Sequence, residues 1–326
     1  MMSHRVEDSG SEDVFLPKVS VVVPIYNGEA DLPGLLECLE AQTYPRDLVE
    51  YLLVDNNSSD RTAQVLENAA ASHPTEKITI RHLTENKIQS SYAARNNAIR
   101  VANGEILVFT DADCRPLPDW IEKIALPFSN STVGIVVGEL AALPGNTFLE
   151  QYAERCQLMA QKWLVEHTFL PYGQTANLAI RKQVFEKVGL FRPYLTTGGD
   201  ADICWRIQQQ TDYKLEYAPQ AIIRHRHRSN LQDFQSQWRR YGTSNQYLHQ
   251  LYGVSLMREL TLKESLYRIS RWLLKELPRD SAKLAIGKAS GIDLIKTPID
   301  LIGFQARTTG QKEAILPEEA RQIEWL

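Results

Sequence analysis

Val19-Ser20-Val21-Val22-Val23-Pro24 reads as a strand buried on both faces, and it opens a pattern that the chain repeats. A loop at 25–30 leads into Leu32, Leu35, Leu36 and Leu39 at helical spacing, with Asp31 as N-cap and Pro33 in the first turn. Residues 49–54 form the next strand and end in Asp55; 56–60 is turn chemistry and 62–71 is helical. A third strand is expected at 78–83, a helix at 90–102 stopped by Asn103-Gly104, and a fourth strand at 105–110 that ends in Asp111. Such units predict an α/β fold with a doubly wound, mostly parallel central sheet flanked by helices. Ligands of these sheets bind at the carboxyl ends of strands, where Asp55 and Asp111 stand.

Beyond Trp120 the pattern is less regular. A strand is expected at 133–139, a helix at 146–165, an extended stretch at 175–180 and a helix at 181–188. A helix at 202–210 follows Gly198-Gly199, a strand covers 221–227, and amphipathic helix with breaks runs from Leu231 onward.

Composition narrows the function classes. The net charge of -4 over 326 residues gives no reason to expect nucleic acid as a partner. Cys38, Cys114, Cys156 and Cys204 are widely spaced, which favours free thiols in a reducing compartment over a disulfide framework or a cysteine metal site. The polar, acid-rich start lacks the basic and apolar regions of a signal peptide and reads as a disordered leader over 1–16. No apolar run is long enough to span a bilayer. The expected setting is cytoplasmic, with peripheral contact at the inner face of the membrane.

Four segments carry chemistry. Asp111-Ala112-Asp113 sets two carboxylates at a strand end, where they can meet one hard cation and the diphosphate it carries. Asp55 is either a turn carboxylate or an acceptor for a bound base or ribose. Gly198-Gly199-Asp200-Ala201-Asp202 lets backbone approach a ligand and follows with carboxylates. Asp200 is the candidate general base there, and Asp202 is either a second candidate or a first-turn helix acid. In Arg224-His225-Arg226-His227-Arg228, strand alternation puts the histidines on one face and the arginines on the other. Histidine suits a divalent metal and arginine suits phosphate.

Taken together, these segments resemble the family 2 glycosyltransferases of GT-A fold. Val21-Val22-Val23-Pro24-Ile25-Tyr26-Asn27 looks like that family's first strand and nucleotide-facing loop, and Leu53 to Thr62 looks like its V-D-D-G-S-x-D-x-T segment. Ala94-Arg95-Asn96, Phe109 to Asp113, Thr175-Ala176-Asn177 and the Gly198 to Asp202 run match its later segments. The resemblance implies a catalytic domain over 17–230 and a helical C-terminal extension over 231–326. It also implies roles. Pro24, Tyr26 and Asp55 contact the nucleoside, Arg95 approaches the phosphates, and Asp111 and Asp113 hold Mn²⁺ or Mg²⁺ against the diphosphate. His225 completes the metal site with His227 as substitute, Asp200 is the base of an inverting transfer, and Asn177 and Asp202 are secondary candidates. Two departures stand out. Gly199 replaces the first acid of the family's frequent Glu-Asp pair, and Asn56-Asn57 replaces its Asp-Gly, which asparagine tolerates in a left-handed turn.

The implied reaction moves a sugar from a UDP- or GDP-linked donor to a lipid-linked, glycan or small-molecule acceptor. The alternatives are a catalytically silent carbohydrate- or nucleotide-binding protein and a nucleotidyltransferase. The second would carry a glycine-rich phosphate loop with a lysine, whereas 25–30 has one glycine and no lysine. Two later stretches, 266–277 and 285–304, interleave apolar residues with Arg and Lys. They suit either packing on the catalytic domain or an anionic membrane surface.

Overall fold

A computed structural model describes residues 15–72 and 78–326, so the leader expected at 1–16 lies almost wholly outside the described residues. Strands β1 (Val19–Ile25), β2 (Val49–Asp55), β3 (Thr79–Thr84) and β4 (Ile106–Phe109) form the parallel half of the sheet. With β5 (Cys114–Pro116), β6 (Val133–Ala142), β7 (Leu178–Arg181) and β8 (Lys214–His225) they make one eight-stranded sheet, ordered β3-β2-β1-β4-β7-β6-β8-β5. The second half is mixed: β7 runs antiparallel to both β4 and β6, β5 runs antiparallel to β8, and β6 and β8 are parallel. Pairing is thus all parallel where the sequence repeats its strand–helix unit and becomes mixed where that repeat stops.

The helices are α1 (Leu32–Glu40), α2 (Thr62–Ser72), α3 (Ser91–Val101), α4 (Trp120–Ala125), α5 (Phe148–Arg155), α6 (Lys162–Val165), α7 (Val184–Val188) and α8 (Gly199–Gln210). They are followed by α9 (Leu231–Tyr252), α10 (Leu262–Arg271), α11 (Leu277–Ala285) and α12 (Gly291–Glu313). Alternation along β1 feeds two cores. Val19, Val21, Val23 and Ile25 pack with Leu35 and Leu39 of α1 and Ile121 of α4. On the other face, Val22 joins Leu107 and Phe109 of β4, Ile99 of α3 and Ile203 of α8. Every residue of β1 is buried, as a strand covered by helices on both faces requires.

Three expected elements are corrected. The single helix at 146–165 is α5 and α6, split where Gln157 takes a left-handed φ of 50° that an α-helix cannot contain. The extended stretch at 175–180 begins as a 3₁₀ turn, Thr175–Asn177, before β7. The strand at 221–227 starts earlier, at Lys214, and ends at His225, so His227 lies in the following loop.

The C-terminal residues are not an appendage. α12 packs along α9, and the two backbones approach closely at a pair of glycines. A methyl group at Gly242 would land on the Arg307 carbonyl, and one at Gly310 on the Arg239 carbonyl. Gly242→Ala must therefore push the helices apart, and we expect a loss of about 1–3 kcal/mol or more from overpacking. Thermal denaturation reads this directly, and an unchanged midpoint would refute the close approach. Farther on, the chain returns to α3 and the segment after α7. The Leu190 N–H donates to the Glu324 carbonyl at 2.7 Å, and the Glu324 carboxylate accepts from Asn96 and Arg100 of α3 at 3.1 and 2.7 Å.

Candidate active site

The carboxyl ends of β1 and β4 open into a cavity of about 590 Å³, within the roughly 300–1,000 Å³ usual for small-molecule sites. Pro24, Tyr26, Asn27 and Gly28 form one rim. Tyr26 is 58% exposed, leaving an aromatic face open at the edge of the cavity. The β1 loop is laced to the loop after β2. The Asn27 N–H donates to Ser58 Oγ at 2.9 Å, Gly28 N–H to Thr62 Oγ1 at 2.8 Å, and Ser59 N–H to Asn27 Oδ1 at 2.8 Å. Asn57 has φ of 61°, so asparagine does take the left-handed position at which the family motif has glycine.

Asp55 is 6% exposed and accepts a hydrogen bond from the Ser58 N–H at 3.1 Å. It orders the loop that faces Tyr26 and is not among the residues lining the cavity. The turn-carboxylate reading describes what it does here.

Asp111 and Asp113 sit just beyond β4 on the cavity wall. They point to different partners. Arg95, buried on α3, reaches Asp111 Oδ1 at 2.7 Å, while its own Nε is buried without a hydrogen-bond partner. Asp113 Oδ1 lies 3.3 Å from His225 Nε2. The His225 Nδ1 lies 2.7 Å from the Arg226 carbonyl, which can only accept. That contact assigns the ring proton to Nδ1 and leaves an Nε2 lone pair facing a carboxylate oxygen. A second proton or a cation resolves that juxtaposition.

Among the described residues, Asp113, Cys114 and His225 bring ligand atoms within 4.8 Å of one another. Cys114 was not expected there. Its thiol is fully buried, and burial together with the Asp111 and Asp113 carboxylates pushes its pKa well above the ordinary range. A protonated thiol is a poor donor to a hard cation. The carboxylate and imidazole donors fit Mn²⁺ or Mg²⁺, and Asp111 can join them once Arg95 turns to another anion.

Asp200 lines the same cavity, in the first turn of α8. Gly198, with φ of 81°, is the left-handed N-cap that swings the helix start into the site. Thr175 Oγ1 donates to Asp200 Oδ1 at 2.9 Å. Burial raises the Asp200 pKa, and Asp111 adds to the rise, while Arg95 and Thr175 oppose it without cancelling it. Such a carboxylate is suited to taking a proton. The missing acid at 199 also has a cause: a Cβ there would sit 2.7 Å from the Tyr92 ring, whose hydroxyl accepts from the Gly199 N–H at 3.0 Å.

The remaining candidates are structural. Asp202 is fully buried and accepts from Arg192 at 2.8 Å, from Arg206 at 2.9 Å and from the Tyr252 hydroxyl at 2.6 Å. Burial pushes its pKa up, but Arg206 and Arg192 outweigh that and hold the carboxyl below its usual range. With both oxygens engaged, it cannot serve as the base. Asn177 is a buried cross-link: its amide donates to the Glu139 and Ala221 carbonyls at 2.8 Å each and accepts from Trp120 Nε1 at 2.8 Å. His227 is buried away from the cavity, and burial and neighbouring His225 lower its pKa to about 4. It is a neutral side chain near Glu150 and not a substitute ligand.

A further wall of the cavity carries no signal that the sequence reading used. Gln237, Trp238, Arg240, Tyr241 and Asn245 of α9, together with Arg228, line the same cavity. Trp238 Nε1 and Asn245 Oδ1 are buried without hydrogen-bond partners. The sequence signal was present as the aromatic and basic cluster Trp238-Arg239-Arg240-Tyr241, but an amphipathic helix offers no spacing that reveals which face meets a cavity.

Residues 20–192 match the profile of Glycosyl transferase family 2. The chain belongs to that family. Among curated proteins, this family 2 chain is 34% identical to Glycosyltransferase AglE of Haloferax volcanii over 211 residues, covering 64% of this chain and 66% of AglE. It is 25% identical to the Pre-mycofactocin glycosyltransferase of Mycobacterium tuberculosis over 231 residues, covering 69% of this chain and 46% of that one. The chain thus spans less than two thirds of the length of either relative. Among solved structures, the mannosyltransferase PcManGT of Pyrobaculum calidifontis, in complex with GDP-Man and Mn²⁺, superposes with a TM-score of 0.61 at 20% identity, covering 94% of this chain and 91% of its own. TarS of S. aureus (residues 1–349) gives a TM-score of 0.52 at 17% identity, covering 90% of each chain. These likenesses bear out the GT-A fold with its C-terminal helices.

Proposed function

We propose that this family 2 protein transfers a sugar from a UDP- or GDP-linked donor to a hydroxyl acceptor, with inversion and with Asp200 as general base. The observation that carries the reading is convergence. Asp111, Asp113 and His225 line a single cavity together with Asp200, whose pKa burial raises. The complex of PcManGT with GDP-Man and Mn²⁺ supports the donor class and the metal.

Asp113 and His225, with Asp111, would hold Mn²⁺ or Mg²⁺, which when bound neutralises charge on the leaving diphosphate. Arg95 pairs with Asp111 and has an unpaired Nε to offer a phosphate oxygen. Pro24 and Tyr26 flank the nucleoside. Asp200 accepts the acceptor hydroxyl's proton as the new glycosidic bond forms, and the Thr175 hydroxyl orients it.

The α9 wall is the acceptor side in this reading, because it packs beside the start of α8, which carries Asp200, and has polar atoms without partners. Arg240→Ala should raise the acceptor KM by about 10-fold, as losing one charged hydrogen bond worth roughly 1.5–3 kcal/mol implies. The donor KM should not move. A rise in donor KM instead would reassign Arg240 to the diphosphate. The reading as a whole is tested by supplying a panel of nucleotide sugars with Mn²⁺ and following release of the nucleoside diphosphate. Absence of turnover across UDP- and GDP-linked donors, with and without acceptors, would favour the silent binding protein.

A further inference from the structure

α10, the π-helical turn Trp272–Glu276 and α11 form a helical segment that leaves most of its apolar side chains in water. Leu262, Leu266, Ile269 and Leu273 recur at spacings of four, three and four and so share one face of the helix. Leu262 is 77% exposed, Leu266 57% and Leu274 81%, and Tyr267 and Ile286 are exposed as well. No residue of α10 is buried. The segment is held on a different side: Trp272 Nε1 donates to the Leu294 carbonyl of α12 at 2.8 Å, and Thr297 Oγ1 donates to Glu276 at 2.6 Å. By contrast, α12 buries Ile292 and Ile299 against the domain. Of the two amphipathic stretches in the sequence, the second is therefore a packing element and the first is not.

Charge singles out the occupant. Residues 262–288 contain seven Lys and Arg against three Asp and Glu, a net of +4 in a chain whose total is -4. The three acids are already engaged. Glu264 pairs with Arg258 and caps α10, Glu276 pairs with Arg271 at 2.9 Å, and Asp280 pairs with Arg279 at 2.7 Å. Lys263, Arg268, Lys275 and Lys288 are exposed and form no ion pair among the described residues. On α10 the charged residues Glu264, Arg268, Arg271 and Lys275 lie opposite the leucine face. No helix among the described residues is long and apolar enough to cross a membrane.

We propose that 262–288 is an interfacial anchor that seats its leucine face in the headgroup region of an anionic lipid bilayer, with its lysines and arginines on the lipid phosphates. An apolar face supplies the burial, and basic side chains extend their charged tips to the headgroups. Each basic residue near such a surface adds attraction that falls off within a Debye length. A second copy of the chain is a poorer fit, since it would cover the leucine face but leave the unpaired basic side chains without counter-charge. This anchor does not depend on the reaction proposed above, and the two can fail separately.

The test is flotation of the purified chain with vesicles of phosphatidylcholine alone or with about one third phosphatidylglycerol, in parallel with light scattering of the lipid-free protein. We expect a monomer that floats with anionic vesicles at low salt, loses most of that binding at about 1 M salt, and stays down with phosphatidylcholine. Leu262→Asp combined with Leu266→Asp should reduce flotation at least about tenfold. Both positions are exposed, so the circular dichroism melt should match the wild type. Protein that stays down with anionic vesicles at low salt overturns the proposal. So does a lipid-free dimer that the double variant dissolves, or a double variant that floats as well as the wild type.

Discussion

Asp200→Asn will lower kcat by about 10²-fold or more, because it keeps the size and hydrogen bonding of the side chain and removes its capacity to accept a proton. Donor binding will be retained, since Asp200 lines the cavity from α8 and is not one of the clustered ligand residues Asp113, Cys114 and His225. The same variant will not cost stability. Burial raises the Asp200 pKa in the fold, so the folded state favours the protonated form. That preference contributes stability below the unfolded value of roughly 3.9, and the contribution is lost as pH rises through the folded pKa. Above that range the ionised carboxylate is a burden, and the neutral amide relieves it. Activity moves the other way. The base works only when ionised, so kcat/KM should rise with pH along a limb displaced above that of an isolated aspartate. Stopped assays across pH, with a thermal melt of each protein, read both effects. Near wild-type transfer by the asparagine variant would remove Asp200 from the role. It would not pass to Asp202, whose oxygens Arg192, Arg206 and Tyr252 hold.

Removing the metal should be as damaging. Excess EDTA, or Asp113→Ala, will reduce donor turnover by about 10²-fold or more, the equivalent of several kcal/mol of charge stabilisation on the departing diphosphate. Asp113 is only partly buried and its contact is His225 at 3.3 Å, so its loss leaves the fold intact. Adding back Mn²⁺ should restore the EDTA-treated wild type but not the variant. Cys114→Ser, at the third position of the cluster, should preserve the metal response, because the buried thiol is held protonated and contributes no charge. Full activity in excess EDTA would place the phosphate chemistry on Arg95 and its neighbours alone.

What the sequence determined by itself follows from local rules. The nearly continuous apolar runs at 19–23 and 106–109 suit strands covered on both faces, and the alternation of β1 between two cores is a direct consequence of period-two geometry. The strand-end carboxylates Asp111 and Asp113 and the left-handed tolerance of Asn57 are likewise short-range properties and stand where the motifs put them, while α8 begins three residues before the expected 202. Tertiary structure decided everything that depends on which surfaces meet. Asp200 and Asp202 are two residues apart on one helix, yet one faces the cavity and the other a pair of buried guanidiniums. His225 and His227 alternate as expected, but β8 ends between them, so only the first reaches Asp113. Asn177 spends its amide on the Glu139 and Ala221 carbonyls because β6 and β8 close over it. The α9 wall reaches the site because Gly242 and Gly310 let α12 press against it from behind. Non-local packing of this kind leaves no period in the sequence, since the partner of each residue lies dozens of positions away and is chosen by the fold as a whole.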